Sequence, residues 1–81
     1  MFVGVKYYKS FGGYGGRDYV YETELPLAVG DLVIAPTVNE PRQKAMVTAV
    51  DLPRPAFQCR EITEYDLSEP AEQGWTNGRD F

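Results

Sequence analysis

Seven of the eleven aromatic residues fall within residues 1–21: Phe2, Tyr7, Tyr8, Phe11, Tyr14, Tyr19 and Tyr21. Lys6, Lys9 and Arg17 are interleaved with them. Rings beside cations are the parts of a single-strand nucleic-acid surface, because bases stack on rings while cations follow the phosphates. Tyrosine beside glycine serves a protein-binding surface equally well. Tyr7, Tyr19 and Tyr21 are expected first to be strand-forming residues that pack across a sheet. For Tyr8, Phe11 and Tyr14 both roles stay open, because a glycine-rich neighbourhood offers little core to pack into.

The side chains that carry covalent or acid–base chemistry are sparse. The chain has no histidine, which removes the usual general base, the commonest metal ligand and every Ser-His or Cys-His pair. A single cysteine, Cys59, cannot assemble a thiolate metal site or an internal disulfide. Asp18, Glu22 and Glu24 share one strand face and read as solvated carboxylates. The glycines at 12, 13, 15 and 16 are not followed by Lys-Ser/Thr or by a helix, so they do not match a phosphate loop. An enzyme is not expected, nor any cofactor or metal. A binding protein is.

The element that must position these residues is Leu27-Ala28-Val29-Gly30-Asp31-Leu32-Val33-Ile34-Ala35-Pro36. It reads as a turn at Gly30-Asp31 feeding a short apolar strand that Pro36 ends. Gly30 can take positive φ there, and Asp31 can hydrogen-bond the local backbone. Before it, residues 1–9 read as a strand with Val3, Val5 and Tyr7 on one face, and Asp18 to Glu24 alternates as a second. The glycines between them predict a flexible, long-looped hairpin. Thr37 to Gln43 is a surface loop. Lys44 to Asp51 is a fourth strand with apolar residues of both parities, so it is buried on both sides or bulged. Ala56 to Tyr65 permits either a fifth strand or a short helical turn. The expected fold is all-β: a small antiparallel five-stranded barrel of the SH3 or OB kind over residues 1–65. An irregular acidic tail, 66–81, follows, with Trp75 and Phe81 either pinning it to the barrel or awaiting a partner.

At 81 residues the chain makes one domain, burying about 60% of its unfolded surface. Residues 1–50 are charge-neutral, so the net charge of −4 falls wholly in residues 51–81. Such a chain does not attract nucleic acid by its overall field, although a local basic patch still could. No stretch approaches the roughly 20 apolar residues of a membrane span. Met1 to Lys6 has no basic leader ahead of a long apolar block, so no secretory signal is expected there, and the lone cysteine suits a reducing cytoplasm.

Asp18-Tyr19-Val20-Tyr21, the stretch Leu27 to Pro36, and Ala45-Met46-Val47-Thr48-Ala49-Val50 together resemble the small amino-terminal barrel of the primosomal helicase PriA. They resemble equally short phage and mobile-element proteins of the same pattern. Over residues 17–50 the resemblance implies a barrel scaffold. It further implies that Asp18 and Tyr19 would lie beside the terminal nucleotide of a DNA 3′ end, with Arg17 standing where that family has an aromatic.

Three functions follow as expectations. The first is a phage or mobile-element accessory protein that grips a host or phage protein, with an acidic face or the tail occupying a nucleic-acid groove. It rests on the net charge of −4, the missing catalytic residues and the stranded Trp75 and Phe81; Phe11 and Trp75 count among the candidate binding residues. The second is a binder of single-stranded DNA or its 3′ end through Lys6, Tyr8, Lys9, Tyr14, Arg17, Asp18 and Tyr19. The third is a homo-oligomer joined through edge strands.

Overall fold

A computed structural model of the chain describes residues 1–10 and 12–67. The described residues are all-β: β1 (Phe2–Lys9), β2 (Gly13–Thr23), β3 (Leu32–Ala35), β4 (Gln43–Leu52) and β5 (Glu61–Ile62). They form one sheet in the order β3-β4-β1-β2-β5. The residues after β5 then reach back to β3: Val33 bridges Tyr65, the Ile34 amide donates to Glu64 O at 3.2 Å, and the Asp66 amide donates to Leu32 O at 2.9 Å. The sheet thereby curls into a nearly closed small barrel, and its hydrogen-bonding runs through Asp66. Residues 68–81 of the acidic tail, including Trp75 and Phe81, lie outside the described residues.

Alternation puts Val3 and Val5 of β1, Tyr21 of β2, Val33 and Ala35 of β3, Ala45 and Val47 of β4, and Ile62 of β5 inside the shell, joined by Leu27 from the β2–β3 connection. Thr23 is fully buried among them. Its hydroxyl donates to Ile62 O at 2.8 Å and accepts from the Leu25 amide at 3.0 Å, so this buried polar group is satisfied twice.

The entry to β3 forms as its sequence dictates. Gly30 has φ +99°, and the Asp31 carboxylate accepts the Ala28 amide at 2.9 Å. The Gly30 amide then donates to Val47 O at 2.8 Å. The mixed parity of β4 is explained by register shifts against β1 on both sides of Gly4, with Asp51 in the left-handed region at φ 54°.

One element differs from expectation, and one open alternative is decided. The glycine-rich stretch is not a flexible connection: β2 begins at Gly13, and Gly13, Tyr14 and Gly15 pair with Lys9, Tyr8 and Tyr7. Backbone pairing needs no side chain, and Gly13 and Gly16 take the positive φ values, +74° and +89°, that the reversal and the following bulge demand. The uncertain segment Ala56–Tyr65 resolves to the two-residue β5, with no helical turn, and β5 runs parallel to β2 while every other pairing is antiparallel. The proline-containing run between Leu52 and Glu61 carries the chain back across the barrel end, which is what a parallel neighbour requires.

Candidate functional site

The β1–β2 hairpin is shaped by a bulge. Val5 faces Tyr19 and Tyr7 faces Gly15, so Lys6 alone stands opposite Gly16, Arg17 and Asp18. Such an insertion sharpens the local twist. It also sends the flanking side chains to two different walls of the barrel.

On the outer wall, Lys6 Nζ lies 3.0 Å from Asp18 Oδ1 and donates to Gly16 O at 2.9 Å. Thr48 Oγ1 donates to the same Asp18 oxygen at 3.0 Å. The hydrogen bonds from Lys6 and then Thr48 hold the Asp18 carboxyl below its ordinary range.

At the mouth of the barrel, the rings of Tyr7 and Tyr19 stack with centroids 4.4 Å apart and planes 10° from parallel. The Arg17 guanidinium lies 5.6 Å from the Tyr19 centroid. Tyr7 and Tyr21 share a hydroxyl hydrogen bond of 2.7 Å, and Tyr21 donates onward to Pro36 O at 2.8 Å. Burial, followed by the bond to Tyr7, pushes the Tyr21 phenol far above its ordinary pKa. These three tyrosines form one wall of a cleft of about 540 Å³ that is also lined by Thr37, Val38, Asn39, Glu40, Gln43 and Arg60. The loop wall is stapled: the Glu40 amide donates to Thr37 Oγ1 at 2.8 Å, and the Thr37 amide donates to Glu40 O at 2.8 Å. Val38 stands on that loop 80% exposed. An open, largely apolar cleft with a few polar groups is the usual form of a binding site.

At the hairpin tip, Tyr8 and Tyr14 meet edge to face at 5.2 Å. Burial, the Asp66 charge and Tyr8 all oppose ionisation of Tyr14. The Lys9 stem runs past Gly16, where an added Cβ would meet it at 3.1 Å.

The residues singled out from sequence therefore separate into three groups. Tyr19 lines the cleft with Tyr7, and Arg17 lies over the Tyr19 ring. Lys6 and Asp18 neutralise each other on the outer wall. Tyr8, Tyr14 and Lys9 sit at the tip. Phe11 and Trp75 lie outside the described residues. Asp18 and Tyr19, neighbours in sequence, serve different walls, as alternation along a strand requires. Tyr7, Tyr19 and Tyr21 pack across strands as expected, and the same packing makes them a cleft wall. Arg60 and the loop Thr37–Glu40 were not found by sequence reasoning; the exposed Val38, an apolar residue in a polar loop, was the one available signal. Arg42 is paired with Glu64 at 2.6 Å. Burial, and then the charge of Glu22, raise the Cys59 thiol and disfavour its thiolate. Among the described residues no three metal-ligating side chains come together, and no helix is long and apolar enough to cross a membrane.

No family model matches the chain, and neither a curated protein nor a solved structure matches it.

Proposed function

We infer that the chain is a non-enzymatic accessory protein, of the phage or mobile-element kind its sequence resembles, that grips another protein through the tyrosine cleft. The observation that carries this reading is that the Tyr19 ring and two of the cations, Lys6 and Arg42, are already engaged within the fold. Tyr7 and Arg17 hold the ring, and Asp18 and Glu64 pair the cations. A nucleic-acid strand needs open ring faces and cations to set against its phosphates. A protein partner needs an apolar recess with a polar rim, and the cleft beside Val38 offers that.

The test is capture from host lysate with the wild-type chain and with Val38→Asp, alongside oligonucleotide anisotropy at low and high salt. A specific protein held by the wild type and lost with Val38→Asp supports the reading. An oligonucleotide bound at low salt and released steeply as salt rises, with no protein recovered, removes it. That outcome would favour the second reading, a DNA-end binder, for which Arg60 in the cleft and Arg17 over the Tyr19 ring are the supporting feature.

A further inference from the structure

We propose that the cleft receives an extended peptide segment of a partner protein, carrying an apolar anchor side chain flanked by acidic residues. This rests on the protein-binding reading and names the chemistry of the ligand. Three features converge on it.

The first is shape. The wall of Tyr7 and Tyr19, stacked, and Tyr21, bonded to Tyr7, faces a stapled loop bearing Val38, so a single bulky side chain entering between them meets apolar surface on both sides. The second is charge. Arg60 lines the cleft from beside β2, where its carbonyl accepts the Glu22 amide, Arg17 lies over Tyr19, and the loop wall carries Glu40. A ligand lying along the strand wall therefore meets guanidinium groups, which bind carboxylates with defined geometry. The third is the open strand edge. Among the described residues, β5 pairs only Glu22 and Thr23 of β2, and from Gly13 to Tyr21 the edge of β2 that faces away from β1 has no neighbouring strand. The bulge over 16–18 disfavours pairing there, and since the Glu22 amide faces away from β1, alternation leaves the Val20 amide and carbonyl, beside the cleft, as the point where an extended backbone can be added. Strand addition supplies affinity through the backbone, and a pocket for one side chain supplies selectivity.

Two fluorescein-labelled peptides test this: Thr-Val-Thr-Asp-Trp-Asp-Thr-Val-Thr, and the same peptide with Lys in place of both Asp. Anisotropy is measured against wild type, Arg60→Gln and Val38→Asp, with circular dichroism verifying that each variant is folded. The acidic probe is expected to bind and the basic probe not to bind at the same concentration. Arg60→Gln should weaken the acidic probe about fivefold, the upper end for a solvent-exposed ion pair, and Val38→Asp should abolish it. Equal binding of the two probes, or binding of neither, overturns the proposal. So does self-association in sedimentation that Val38→Asp removes, since the cleft would then belong to a second copy. If the probes fail while Val38→Asp still loses a captured lysate protein, the peptide chemistry falls and the protein-binding reading stands. If oligonucleotide is bound and no protein captured, both fall.

Discussion

The Lys6 ammonium lies 3.0 Å from Asp18 Oδ1, across a bulge that sets Lys6 against three residues of the neighbouring strand. The same ammonium donates to Gly16 O, so one side chain clasps both ends of the irregularity. A cation that would otherwise be available to phosphates serves the hairpin instead.

That pairing predicts a pH signature. The folded-state pKa of Asp18 is depressed, so its contribution to stability is present above the unfolded value, near 3.8, and is lost as pH falls through the folded value. Carbon-detected NMR titration should give Asp18 a midpoint below 3.8, and Lys6→Met should move that midpoint upward. An unchanged midpoint in Lys6→Met would show that the clasp does not form.

Tyr21→Phe removes the donor to Pro36 O and the hydroxyl partner of Tyr7. A part-buried carbonyl and phenol left unpaired cost about 1–3 kcal/mol, read as a lowered urea midpoint with the slope unchanged. The raised pKa of Tyr21 also means that its stabilising effect is complete below pH 10, the ordinary tyrosine value. It declines above that, where the unfolded chain ionises and the folded one resists. Tyr21→Phe should flatten the alkaline limb of the stability curve.

Thr23→Val keeps the shape of a fully buried side chain and discards two hydrogen bonds, to Ile62 O and from the Leu25 amide. The expected loss is about 1–3 kcal/mol. Hydrogen exchange should quicken first at the Glu22 amide, which donates to Arg60 O beside β5.

Gly30→Ala tests the turn into β3. An added Cβ meets nothing within 4 Å, yet φ is +99°, so the cost is conformational and not steric crowding. About 1–2 kcal/mol of destabilisation is expected. A stability within error of wild type would mean that this turn can relax to negative φ.

How legible this architecture was in the sequence depended on how local its cause is. The Gly30–Asp31 turn is determined by neighbours in the chain, and it formed as read. The inward faces of β1 and β2 followed from alternation, so Val3, Val5 and Tyr21 were readable as well. The strand start at Gly13 was not, because its stability comes from β1, a tertiary partner that overrides glycine's poor intrinsic preference. β5 was hidden for the same reason: two residues carry no periodicity. The candidate cleft was half visible. Its tyrosines declared themselves by type and parity. Arg60 and Val38 reach it only because the sheet curls, and no spacing along the chain encodes that meeting.

The bridge between Val33 and Tyr65 has a consequence for anyone shortening the gene. β3 is the terminal strand of the sheet order, and the segment around Tyr65 is what shields its outer side. A truncation ending before Glu64 would uncover a run of Leu32, Val33, Ile34 and Ala35 with vacant amides and carbonyls, a template on which other molecules could polymerise.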